Sequence, residues 1–270
     1  MANPTGKQLL HSSFDLLQAN RKLPWLPLLS AGSSLAITLV IAGPLLLAIH
    51  GHWGFRQYVV LLVALALGNF ATIFFNEALT YAAKEQIEGR VIGIRDATRF
   101  AWSRRSVILS WALFSSVVGL VLNAIDRRVG ILSKVIGFLG ALSWAVAVFF
   151  VLPILAFEEL GPIEAVKRSS HLMKETFGTV TRSALRFGAI FLPATLVAMV
   201  VAMAGAITIQ TSVTLGVAIL LVGFFALVAV STYQGAAVAF LRVILYRYAT
   251  GQSVPELGAD VADVFPISLK

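Results

Sequence analysis

Residues 187–241 read FGAIFLPATLVAMVVAMAGAITIQTSVTLGVAILLVGFFALVAVSTYQGAAVAFL, and these 55 residues include no Lys, Arg, Asp or Glu. As a single helix they would be about 80 Å long, whereas one helix needs only about 20 residues to cross the hydrocarbon of a bilayer. Thr, Gln and Ser cluster at 208–212, as is typical of a turn. We therefore predict two antiparallel spans, at about 185–208 and 213–241.

Four further apolar stretches precede this one, at about 24–49, 57–81, 106–125 and 135–157. The chain is 58% hydrophobic and 13% charged, with a mean hydropathy of +0.87, whereas a soluble domain is about 25% charged. The runs are continuously apolar, which disfavours the alternating strands of a β-barrel. The sequence predicts an all-α polytopic membrane helix bundle with six transmembrane helices in a single membrane domain, 1–250, followed by a flexible tail, 251–270.

The distribution of positive charge predicts the orientation of this bundle. Of the 21 Lys and Arg residues, 17 fall on the side that holds both chain ends. The other side holds four, which are Arg56, Arg127, Arg128 and Lys134. Because Lys and Arg concentrate in cytoplasmic segments, we expect a multi-pass protein of the inner (cytoplasmic) membrane with both termini cytoplasmic. The basic total is then a topology signal, and no nucleic-acid partner is expected.

A charged stretch, EELGPIEAVKRSSHLMKETFG, interrupts the apolar chain at 158–178. On a helical wheel its apolar side chains separate from its charged ones, which is typical of an amphipathic helix lying in the membrane interface. We predict cytoplasmic-side amphipathic interfacial helices at about 4–20, 90–105 and 162–177.

These three segments each precede two spans, which suggests a three-fold internal repeat. Gly93-Ile94 aligns with Pro162-Ile163, and Arg99 with Arg168, at a constant offset of 69. The alternative is that amphipathic basic linkers occur in any cytoplasmic loop.

Two groups of candidate site residues follow from this layout. Basic side chains of the predicted interfacial helices would contact anionic lipid headgroups or an assembly partner; they are Lys167, Arg168, Lys174, Arg95 and Arg99. Polar side chains inside or at the rim of the spans are Asn76, Glu77, Glu158 and Glu159. An ionisable group in a span is a functional candidate, although snorkelling or a hydrogen bond to a neighbouring helix would also account for Glu77. The rim glutamates would either favour the next helix N-terminus or pair with neighbouring arginines.

The chain offers little catalytic chemistry. It has no cysteine, and no phosphate-binding, dinucleotide-binding or nucleophile-elbow motif occurs. His50 and His52 could share a metal, but zinc needs a third protein ligand. We expect no cofactor, metal or enzymatic activity. The favoured function is a non-catalytic structural or assembly protein that packs with itself or a larger membrane complex and contacts anionic lipid. The alternatives are an uncoupled channel or transporter and a lipid-acting membrane enzyme.

Several segments resemble a known family. EELGPIEAVKRS after a span containing Pro153, FFNEAL at 74–79 and the segment Trp144–Phe150 are similar to an uncharacterised prokaryotic family of six-span membrane proteins, a domain of unknown function. The resemblance runs from about Phe70 to Phe187 and implies fold and topology but no catalytic residues. A weaker likeness is to the membrane domain of some glycerophosphodiester phosphodiesterases, whose catalytic barrel is absent here.

Overall fold

A computed structural model describes residues 22–47, 54–126 and 130–252. Within these ranges the chain forms eight helices and no strand. They are α1 (Trp25–Leu47), α2 (Phe55–Ile87), α3 (Ile94–Ser103), α4 (Arg105–Asp126), α5 (Gly130–Ala147), α6 (Val151–Phe157), α7 (Pro162–Thr208) and α8 (Val213–Ala249). The predicted interfacial helix at 4–20, the tail beyond 252, and His50 and His52 lie outside the described residues.

Six helical segments of the described chain are long and apolar enough to cross a membrane. They are Trp25–Pro44, Phe55–Ile87, Arg105–Leu122, Gly137–Phe157, Gly188–Thr208 and Val213–Ala249. The prediction of an all-α fold with six apolar helices is confirmed, and a multi-pass membrane protein follows from it.

The charged stretch at 162–177 is not a separate helix. It continues without a break into the next span, so that α7 has 47 residues and a length of about 70 Å. Part of its apolar face is buried against protein, since Ala165, Leu172 and Met173 are almost inaccessible to solvent, whereas Ile163 and Phe177 are about half exposed. The predicted division between a helix at 162–177 and a span at 185–208 is therefore wrong. Gly178 lies inside α7, where a single glycine costs only about 1 kcal/mol.

The predicted span at 135–157 is divided by a break at 148–150, which separates α5 from α6. Pro153 lies just beyond the break and has no amide hydrogen to donate to Phe149, so the regular helical pattern is interrupted there. The Phe150 amide instead donates to the Ser169 hydroxyl of α7 at 3.0 Å. Both residues are fully buried, and this bond ties the break to α7.

The final two helices form a close antiparallel hairpin. α7 ends at Thr208 and α8 begins at Val213, where the sequence predicts the turn. A Cβ atom at Gly205 would collide with the backbone of Leu220, so glycine permits this close approach. α8 then continues unbroken through Ser231 and Gly235 to Ala249, which settles that the last span extends rather than ends near residue 241.

The protein core lies at one end of the bundle. Its largest fully buried side chains include Leu79, Ile87, Phe150, Phe240 and Ile244, which belong to the ends of α2 and α8 and to the break before α6. Large apolar side chains elsewhere on the spans are exposed, among them Leu196, Val200 and Phe225. A membrane would supply their apolar surroundings.

Two of the three predicted repeat units lie in the described chain. Gly93 is the N-cap of α3 and Gly161 the N-cap of α7. Buried small residues then follow at the same spacing, Ala97 with Ala101 in α3 and Ala165 with Ser169 in α7. The equivalent positions differ by 68 rather than by the 69 of the sequence alignment, because the N-cap glycines fix the register. The three-fold repeat itself stays a prediction.

Candidate functional site

The carboxylates at the end of α2 are held by basic residues. Arg90 contacts Glu85 and Glu88, each at 2.6 Å, and Arg247 of α8 contacts Glu88 at 3.0 Å. The hydrogen bond from Arg90 to Glu85, with the charges of both glutamates, raises the pKa of Arg90 above its usual value. The contact between Arg247 and Glu88 joins the ends of α2 and α8.

A second group of ion pairs surrounds the linker between α6 and α7. Arg168 contacts Glu158 at 3.2 Å, and the Tyr246 hydroxyl of α8 donates to the same carboxylate at 2.7 Å. Glu159 contacts Arg104 at 2.8 Å. The structure therefore pairs both rim glutamates with arginines, the second of the two alternatives for them.

Glu159 also has an unusual backbone. Its φ angle is 56°, in the left-handed region that favours glycine. It directly follows Glu158, the C-cap of α6, and such a position after a helix is commonly glycine. The ion pair to Arg104 thus coincides with a local strain of about 1–2 kcal/mol.

Asn76 and Glu77, adjacent in sequence, have different surroundings. Glu77 is fully buried, and neither of its carboxylate oxygens has a hydrogen-bond partner among the described residues. Asn76 instead lines a groove of about 400 Å³ between α1 and α2, with Ser30 and Thr38. The two residues therefore do not form one polar site.

The predicted lipid-contacting residues divide into paired and unpaired ones. Arg168 is held by Glu158 while 41% of its side chain stays exposed, and its headgroup or assembly contact stays a prediction. Among the predicted contacts, Arg95, Lys167 and Lys174 are exposed and make no ion pair within the described chain. Arg99 is exposed and lies 3.8 Å from Asp96. We call Arg95, Arg99, Lys167 and Lys174 the exposed basic set.

Sequence reasoning missed four residues that hold this end of the bundle together. They are Glu88, Arg104, Tyr246 and Arg247. Arg104 and Arg247 were counted only as topology signals. Tyr246 and Arg247 follow a long uncharged span, and this change from apolar to polar residues was the available sign that α8 continues to the charged end.

Arg242 is a further, partly buried cation. Its guanidinium lies over the Phe149 ring, 5.5 Å from the ring centre, and its Nε has no hydrogen-bond partner in the described part of the chain. In the described ranges no group of three or more His, Asp or Glu residues could hold a metal ion.

The family model of a family of unknown function, DUF6159, matches residues 56–254. The chain belongs to this family. No curated protein and no solved structure matches it. The DUF6159 match extends from the start of α2 to beyond α8, so it contains every ion pair described above. It agrees with the resemblance to an uncharacterised family, whereas the likeness to glycerophosphodiester phosphodiesterases stays a prediction.

Proposed function

We propose that this protein is a non-catalytic membrane protein of the inner membrane, which contacts anionic lipid on its cytoplasmic side and packs with itself or with a larger membrane complex. One observation carries the proposal. The carboxylates Glu85, Glu88, Glu158 and Glu159 are occupied by arginines, whereas the exposed basic set faces outward largely unpaired. Because Asp96, Glu164 and Glu175 are exposed on the same two helices, a small excess of outward positive charge remains.

Such a charge distribution suits an anionic membrane surface. A Lys or Arg near that surface gains about 1 kcal/mol, and the attraction decays within a Debye length of about 8–10 Å. Catalysis is not part of the proposal, because the carboxylates at the charged end are held in ion pairs and hydrogen bonds within the bundle.

The test is lipid retention measured by native mass spectrometry after release from bilayers containing equal amounts of phosphatidylglycerol and phosphatidylcholine. Replacing Arg95, Lys167 and Lys174 together by Gln is expected to abolish the preference for phosphatidylglycerol. Arg56→Gln is the matched control, because Arg56 is exposed at the opposite end of α2 and its loss should leave the preference intact. Equal retention of both lipids by the wild type contradicts the lipid contact, and the same spectra report whether the protein self-associates.

An uncoupled channel is the second candidate, and the groove lined by Ser30, Thr38 and Asn76 favours it. Hydroxyl and amide groups along two spans could face water at a subunit boundary. Solute flux into reconstituted liposomes above that of empty vesicles, and its loss in Asn76→Leu, would support this candidate against the first.

A further inference from the structure

A groove of about 570 Å³ lies between α5 and α7. Leu142, Val146 and Ala147 of α5 form one wall, and Ser170, Met173 and Lys174 of α7 form the other. Its volume is within the range of about 300–1,000 Å³ that small-molecule sites usually have. The groove is separate from the ion pairs at the ends of α2 and α8.

The two walls of the groove differ in character. The α5 wall belongs to an apolar span, and Leu142 at its edge is 50% exposed. The α7 wall belongs to the charged stretch at 162–177, yet Met173 is only 5% exposed and forms an apolar floor. An amphiphilic ligand, apolar along its length and charged at one end, fits such a boundary.

The charged side chain in the groove lining is that of Lys174. It is exposed and makes no ion pair within the described chain. The Ser170 hydroxyl lines the same groove and can donate a hydrogen bond. An ammonium group and a hydroxyl beside an apolar floor match a phosphate joined to an acyl chain.

The wall formed by α7 is held in place next to the groove. Ser169, beside Ser170, accepts a hydrogen bond from the Phe150 amide. The break that follows α5 therefore cannot separate from this part of α7 without breaking a buried hydrogen bond. A wall that is fixed by the protein's own hydrogen bond lowers the ordering cost of binding.

We propose that this groove binds one anionic phospholipid, with an acyl chain between α5 and α7 and the phosphate at Lys174. The inference deepens the proposed function and rests on it for the lipid contact. If surface charge alone attracted the lipid, the lipid would be distributed over the whole exposed basic set. The groove instead gives one lipid molecule a defined site.

The test is cross-linking with phosphatidylglycerol that carries a photoreactive diazirine at mid-chain, followed by peptide mass spectrometry. We expect cross-links to concentrate on peptides containing 142–147 and 170–177. Ala147→Trp, which fills the groove, should reduce them to background. Ala145→Trp, on an exposed position of α5 outside the groove lining, should retain them. Far-ultraviolet circular dichroism of both variants should match that of the wild type, as a check that their helices are kept.

A second variant pair tests the headgroup. Lys174→Gln should lower cross-linking by phosphatidylglycerol about fivefold, whereas Lys167→Gln, outside the groove lining, should lower it less than twofold. Cross-links spread evenly over all spans, or unchanged in Ala147→Trp, would overturn the groove even if the bulk preference for phosphatidylglycerol persists. A different result would overturn both the phosphate assignment and the proposed function. In it, the protein shows no preference for phosphatidylglycerol, and phosphatidylglycerol and phosphatidylcholine cross-link to the groove equally.

Discussion

Replacing Ser169 by alanine removes the acceptor of the buried bond that ties α7 to the break between α5 and α6. The Phe150 amide donates to Ser169 at 3.0 Å, and both residues are fully buried. In the variant this amide would have no acceptor and no access to water. The change removes one oxygen atom and leaves the rest of the packing almost unaltered.

The expected loss follows from the burial. A buried donor left without its acceptor costs about 1–3 kcal/mol, which is about a 5- to 150-fold change in the unfolding equilibrium constant. The α7 residues next to Ser169 should become more exposed. The loss should not depend on salt, because neither partner is charged.

The assay is unfolding in mixed micelles of dodecylmaltoside and sodium dodecyl sulfate, followed by far-ultraviolet circular dichroism. Ser170→Ala is the matched control, since Ser170 is the adjacent serine of the same helix and is half-buried. We expect Ser169→Ala to unfold at a lower fraction of dodecyl sulfate and Ser170→Ala to stay within about 0.5 kcal/mol of the wild type. Equal stabilities for Ser169→Ala and the wild type would refute the argument that this bond holds the break.

Three further predictions use the same unfolding assay. Gly205→Ala should lower the free energy of unfolding by about 1–3 kcal/mol, because its methyl group meets the backbone of the facing helix. Gly188→Ala, which has open space around it, should not lower it. Equal effects of the two substitutions would contradict the close hairpin. At Glu159, with its φ of 56°, both glycine and alanine remove the ion pair to Arg104, but glycine should be more stable than alanine by about 1 kcal/mol; alanine matching glycine would show that the backbone is not strained. Glu77→Leu should raise stability by about 1–3 kcal/mol because it removes buried oxygens that lack a hydrogen-bond partner in the described chain; a decrease would show that the carboxylate is stabilised by an interaction outside this account.

The sequence was sufficient to predict the six spans, but not where every helix begins and ends. Long uncharged runs identify membrane-crossing helices directly, and the polar cluster at 208–212 identifies the turn of the hairpin. The unbroken course of α7 could not be read from the chain, because burial of Leu172 and Met173 against protein, rather than lipid, depends on tertiary packing. The break before α6 was signalled only by Pro153, which spans also tolerate without a break.

The charged residues were predicted less well than the spans. Their side of the membrane follows from counting Lys and Arg, but pairing is a matter of three-dimensional distance. Glu88 and Arg247 are far apart in the chain and 3.0 Å apart in the structure, and no periodicity of the sequence relates them. For the same reason Arg168 was grouped with Lys167 and Lys174, although only Arg168 faces Glu158.

The most direct test of the lipid contact is electron paramagnetic resonance of spin-labelled lipids in bilayers containing the protein. The fraction of lipid immobilised at the protein surface gives the relative association constants of phosphatidylglycerol and phosphatidylcholine. One basic side chain per site is worth about 1 kcal/mol, so phosphatidylglycerol should associate about fivefold more strongly at low salt, and the ratio should fall towards one as salt screens the charges. A ratio of one at low salt, or one that Gln at Arg95, Lys167 and Lys174 leaves unchanged, would contradict the account.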